Sequence, residues 1–118
     1  MGNVSLVEII MEPIKSRVTT QYSADVTVVT LNDEEILEEQ QIKKIEEELM
    51  TIIDDAKCEN MLLNFENVEF MTSAFLGFLV KIYKRIRERG GTLELCNINR
   101  NISKVFEITQ LNKIFIIH

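Results

Sequence analysis

Histidine occurs only as His118, the last residue, tryptophan not at all, and proline once, as Pro13. A metal site or proton shuttle built on imidazole therefore has no candidate inside the chain. There is no Pro/Gly/Ser-rich linker and no internal repeat, so nothing divides the sequence into units. Cysteine appears twice, as Cys58 and Cys96, too few for a disulfide framework. Cys96 ends an apolar run and is expected to be a reduced core residue. The longest uncharged stretch, Phe70–Val80, is eleven residues, whereas a bilayer-spanning helix needs about 20. No basic-then-apolar leader opens the chain, and Met1-Gly2-Asn3-Val4-Ser5-Leu6 has Leu6 where a myristoylation motif wants Ser or Thr. A cytoplasmic protein with no membrane partner is the expectation. C-x-x-C, G-x-x-x-x-G-K-[ST] and G-x-G-x-x-G are all missing, and no cofactor or metal is expected.

What is present is ordinary globular material. The 118 residues suit one domain, and 46% apolar with 27% charged side chains excludes disorder throughout. The net charge of −6 is unevenly placed, with 5 basic and 14 acidic residues in 1–60 against 8 and 5 in 61–118. A net acidic chain matches a phosphate backbone poorly, so no nucleic-acid partner is expected.

Val18–Tyr22 and Val26–Leu31 are β-branched and alternating around a Ser23-Ala24-Asp25 turn, which predicts a hairpin. Asn32-Asp33 favours a turn or an N-cap. Ile42, Ile45, Leu49, Ile52 and Ile53 then form one helical stripe over 36–53, with the acidic run Asp33–Glu39 at its N-terminus. Asn60–Phe65 has the continuous apolar centre of a strand covered on both faces. After a loop, 66–72, Phe75, Leu76, Leu79, Ile82, Tyr83 and Ile86 mark a second helix, solvated along Lys81, Lys84, Arg85 and Glu88 and closed by Gly90-Gly91. Thr92–Cys96 alternates as a strand. Asn99 or Asn101 caps a third helix with Ile102, Val105, Phe106 and Thr109 on its core face, and 114–117 is a last strand. The order is ββαβαβαβ, an α/β domain with one mixed β-sheet flanked by α-helices. Its core is expected to include Ile42, Ile45, Leu49, Leu62, Leu79, Ile82, Val105 and Phe106. Residues 1–15 show no clear pattern and fit a short helix or a loose extension. Asp54-Asp55 with Glu59, and the basic stretch 81–89, both fit solvated surface.

Val68–Gly77 stands out, because a loop leaves a buried strand and the next helix begins with small hydroxyl and methyl residues. Thr72 is a natural N-cap, which leaves the Ser73 hydroxyl in the first turn free to face solvent. Taken alone, Thr72 and Ser73 are also explained as helix caps. Phe75 fits either the core stripe or an exposed aromatic anchor for a partner, and Met71 shares that choice.

Met61–Phe65, Val68–Gly77 and Arg89–Cys96, followed by the tail Val105–Phe115, resemble in order and spacing the STAS domain of bacterial anti-sigma-factor antagonists. The likeness runs over about residues 17–117, dividing the chain into an N-terminal extension, 1–16, and a STAS domain, 17–118. It implies a STAS-domain fold and a phosphorylation-switched protein-binding module without enzymatic activity. The implied partners are an anti-sigma factor that is also a serine kinase, and a serine phosphatase. The family's phosphorylated serine falls on Ser73, and Asp33, Glu34, Glu35, Met71, Thr72, Ala74 and Phe75 are its candidate partner-binding neighbours. The family pattern there is an acid, two serines, glycine, leucine and glycine. Ser73, Leu76 and Gly77 keep it, while Thr72, Ala74 and Phe75 replace the acid, the second serine and the glycine, and Gln110 stands where a glycine is usual. The alternative is a STAS scaffold or regulatory subunit that is never phosphorylated. A Ser73 nucleophile lacks both the G-x-S-x-G elbow and an internal histidine.

Overall fold

Alternating segments become strands, and the computed structural model, which describes residues 16–55 and 59–118, assembles them in one main sheet. The N-terminal segment 1–15, with Pro13, and Cys58 lie outside the described residues. Strand β1 (Val18–Tyr22) pairs antiparallel with β2 (Thr27–Leu31) through the expected turn. Beyond β2 the sheet is parallel, through β4 (Asn60–Asn64), β6 (Thr92–Cys96) and β7 (Ile116–Ile117), in the order β1-β2-β4-β6-β7. A second, two-stranded sheet pairs β3 (Glu35–Ile36) with β5 (Phe70–Met71). The helices are α1 (Glu39–Asp54), α2 (Ser73–Glu88) and α3 (Arg100–Ile108).

The core lies between the helices and one face of the main sheet. Val29, Leu31, Met61, Leu63, Leu93 and Leu95 alternate inward to meet Ile45, Leu49, Ile53, Leu79 and Ile82, all buried. Phe115 joins α3 to α2 by edge-on contacts with Phe106 and Tyr83, at centroid distances of 5.9 and 5.3 Å. The basic side of α2 is tied to α1: Lys81 pairs with Glu46, and Asp54 takes Arg85 at 2.9 Å and Arg89 at 3.7 Å.

Several sequence expectations are corrected. The apolar run in β4 is not covered on both faces: Met61 and Leu63 are buried, while Leu62 is half-buried on the opposite side. That side carries Val28 beside Leu62 beside Glu94 in register, and Asn64 beside Cys96. Cys96 is thus a half-buried residue of the open face, not a core one, and partial burial together with the charge of Glu66 pushes its thiol pKa up. The α1 helix starts at Glu39, three residues later than its stripe suggests, because Ile36 is drawn into β3 and buried there. The segment 66–72 contains β5, and a 3₁₀ turn (Leu111–Lys113) shortens the last strand to two residues. Val105 is half-buried and Thr109 exposed, whereas Phe78, outside the stripe read from sequence, is buried.

Gly90, Gly91 and Gln110 each sit where the backbone or its surroundings constrain the residue. Gly90 ends α2 at φ 79°, the left-handed cap. A Cβ on Gly91 would sit 1.8 Å from the Glu59 carbonyl oxygen, so only glycine lets β6 begin this close to β4. Gln110 adopts φ 61° without the freedom of glycine. An L side chain there costs roughly 1–2 kcal/mol against a right-handed conformation. Gln110→Gly should therefore raise unfolding stability by about 0.5–1 kcal/mol in a denaturant titration, after glycine's own entropic cost. A loss of stability would mean that the Gln110 side chain matters more to the turn than its strained backbone.

Candidate functional site

Two short strands bring the acidic loop and the Ser73 segment together. In the β3–β5 pair, Glu35 lies opposite Phe70 and Ile36 opposite Met71. The Glu34 carbonyl accepts from the N–H groups of Glu69 at 2.7 Å and Phe70 at 3.2 Å, and the Thr72 N–H donates to the Ile36 carbonyl at 3.0 Å. Both flanking helices start immediately after this pair, so the N-termini of α1 and α2 sit beside each other.

Side-chain amides hold the two loops. Gln41 Oε1 accepts from the N–H groups of Leu37 at 3.0 Å and Glu38 at 3.3 Å, while its Nε2 donates to Asp33 Oδ2 at 2.9 Å and to the Glu35 carbonyl. Asp33 Oδ1 is bound by Arg17 at 2.9 Å. On the other loop, Asn99 Nδ2 donates to the carbonyls of Val68 at 3.2 Å and Glu69 at 2.9 Å, and its Oδ1 caps α3 by accepting from the Ile102 N–H at 2.9 Å.

Ser73 is the first residue of α2 and is exposed, as is Ala74. Its hydroxyl makes no hydrogen bond among the described residues. Thr72 holds the N-cap backbone position, at φ −86° and ψ 164°, but its hydroxyl does not cap: Oγ1 is buried and has no partner among the described residues. The first turn of α2 carries no acid. Glu34 and Glu35 are exposed beside this turn, and Met71 is half-buried against the core. Asp33 is occupied internally, with both carboxylate oxygens engaged, and serves the shape of the loop.

Phe75 takes the core position, and its role as a partner anchor is corrected. It is fully buried, packed against Phe65 at 6.5 Å and Phe78 at 5.6 Å between ring centroids. At the third position of the helix its side chain turns toward the sheet, while Ser73 and Ala74 turn outward. The exposed apolar side chains near the site are Leu37 and Phe70. Sequence reading missed both, because Leu37 fell inside the expected helix and Phe70 inside an expected loop. A groove of about 340 Å³ beside Ser73 is lined by Leu37, Glu39, Ile42, Thr72, Ser73 and Ala74.

Comparison with known proteins gives this geometry a family. A family model described as the STAS domain matches residues 17–118. An anti-sigma F factor antagonist of Paenibacillus polymyxa is 32% identical over 66 residues, 56% of this chain and 56% of that protein, so the match spans about half the relative's length. The anti-sigma factor antagonist SpoIIAA in its unphosphorylated form superposes with a TM-score of 0.72 at 20% identity, covering 86% of this chain and 87% of that one. The Bacillus cell fate determinant SpoIIAA in the phosphorylated form gives 0.66 at 20% identity, over 86% and 90%. At these identities the structural likeness establishes the fold. No described helix is long and apolar enough to cross a membrane.

Two residues at the start of α2 should respond very differently to truncation. Phe75→Ala removes a fully buried ring and should cost about 3–5 kcal/mol in a denaturant titration. Thr72→Ala removes a hydroxyl that caps nothing and should change stability by less than about 0.5 kcal/mol, where loss of a working N-cap costs about 1 kcal/mol.

Proposed function

The chain belongs to the STAS domain family, and from that premise we propose that it is an anti-sigma-factor antagonist switched by phosphorylation of Ser73. Unphosphorylated, it binds an anti-sigma factor that is also a serine kinase. That kinase modifies Ser73 and releases the antagonist, and a serine phosphatase restores it. The observation that carries this reading is the position of Ser73: exposed, unbonded among the described residues, and first in a helix whose opening turn holds no acid.

The physical consequences of a phosphate follow from that position. It adds about −1.5 to −2 charges and three acceptor oxygens. The N-terminal N–H groups of α2 and the helix dipole favour that charge, so the fold tolerates it. A partner surface that accepted a neutral hydroxyl must instead bury a dianion, which costs binding. The switch acts at the interface with little movement of the backbone. The second reading, a STAS scaffold that is never phosphorylated, draws on Thr72, Ala74 and Phe75, which depart from the pattern kinases of this family meet.

Intact mass after incubation with an anti-sigma-factor kinase and ATP separates the two readings. Ser73→Ala should keep kinase binding and take up no phosphate. Ser73→Asp should keep the fold and bind more weakly, though a carboxylate carries only part of a phosphate's charge. Label on the alanine variant, at Thr72 for instance, would move the switch to another residue, and no label on the wild type would favour the scaffold.

A further inference from the structure

The groove beside Ser73 has an apolar floor and an acidic rim. Ile42, Ala74 and the half-exposed Leu37 supply the floor and one wall. Phe70, also about half-exposed, lies two residues before Thr72 and opposite Glu35 in the small sheet. Glu39 lines the groove, and Glu34, Glu35, Glu38 and Glu69 are exposed on the two loops that flank it; none of the five is in an ion pair among the described residues. Residues 31–42 and 64–80 contain no Lys, Arg or His, and Arg17, which lies beside Glu35, Leu37 and Glu38, is paired with Asp33.

We infer that this groove docks a cationic protein segment carrying one apolar anchor, which packs on Leu37 while its lysines or arginines meet the five glutamates. This rests on reading the Ser73 face as the partner surface, and it states the chemistry of that partner. Charge complementarity selects the occupant: an acidic or neutral segment meets an uncompensated negative rim, whereas a basic one is attracted to it and steered in register. The exposed apolar wall requires more than charge, since a purely polar basic segment would leave Leu37 uncovered. The inference also identifies how phosphate releases the partner. Repulsion cannot be the cause, because a cationic segment is drawn toward a phosphate. The phosphoryl group on Ser73 instead occupies the mouth of the groove and strands a dianion against the apolar anchor, so the anchor is lost while the ionic attraction remains.

The test uses the full 118-residue chain and three short fluorescent peptides: one leucine flanked by lysine and arginine, the same leucine flanked by glutamate, and the basic peptide with serine for leucine. Anisotropy should show saturable binding of the basic leucine peptide, weakening as ionic strength rises. Its amide NMR shifts should centre on Leu37, Ile42 and Ala74. The serine peptide, and the basic leucine peptide against Leu37→Ser, should each bind at least about fivefold more weakly. The glutamate-flanked peptide should not bind. Equal affinity for Leu37→Ser, shifts centred elsewhere, or binding of the acidic peptide would overturn the inference. Groove shifts that depend on protein concentration without any peptide would assign the face to a second copy of the chain and overturn it too. Failure here alongside kinase labelling of Ser73 leaves the phosphorylation switch standing. Groove binding without labelling does the reverse.

Discussion

The four-residue junction of β3 with β5 governs the rest of the functional surface. Its register is set by three backbone hydrogen bonds, from Glu69 and Phe70 to the Glu34 carbonyl and from Thr72 to Ile36. Each bond alone contributes on the order of 1 kcal/mol. Together they fix where two helices begin, because α1 starts three residues after β3 and α2 two residues after β5. The pair buries Ile36 fully and leaves Glu35 and Phe70 outside. Without it, the acidic loop and Ser73, about 35 residues apart in sequence, would have no common surface. Gln41 reinforces the junction by binding four groups of the loop ahead of its own helix, so the acidic rim is held in place before any partner arrives.

Phe75 belongs to the same construction. Packed on Phe65 and Phe78, it pins the first turn of α2 to the sheet, and the outward positions of that turn are then all small: Ser73, Ala74 and Gly77. A Cβ added to Gly77 would meet nothing within 4 Å. The glycine that the family pattern places directly after its serines is lost here, but the pattern's second glycine, Gly77, stands two residues further on and keeps that part of the face open. A large side chain two residues after Ser73 is therefore compatible with an open face, because it is directed into the core and not to the surface.

Much of this architecture was legible in the residues. Alternation in 18–22, 27–31 and 92–96, the Ile42–Ile53 stripe, the Asn99 cap and the Gly90 turn are local signals, and the structure follows them. What stayed illegible is non-local. Two-residue strands have no periodicity of their own, so β3 and β5 exist only through their pairing. Leu62 fits a two-sided strand by composition, but among the described residues no helix covers its side, and it is half-buried. The site divides the same way. Ser73 and the acidic loop could be named from sequence, but Leu37 could not, since the stripe carried the expected helix through it. Thr72 is a residue type favoured at N-caps, yet its hydroxyl is buried without a partner among the described residues.

That unused cap bears on the electrostatics of the proposed switch. A carboxylate at the N-cap would bind the first N–H groups of α2 and partly neutralise the positive end of its dipole. With Thr72 turned inward and no acid in the first turn, that end of the helix carries no compensating side-chain charge of its own. Its neighbour α1 is the opposite case, with Glu38 and Glu39 at its start. The two adjacent N-termini thus present one compensated and one uncompensated dipole, and Ser73 stands on the uncompensated one. A phosphate there gains the interaction that the missing acid leaves open, which offsets part of its repulsion from the surrounding glutamates. On the proposed reading, an acidic surface that selects a cationic partner and a helix terminus that accommodates a phosphate on Ser73 are therefore compatible.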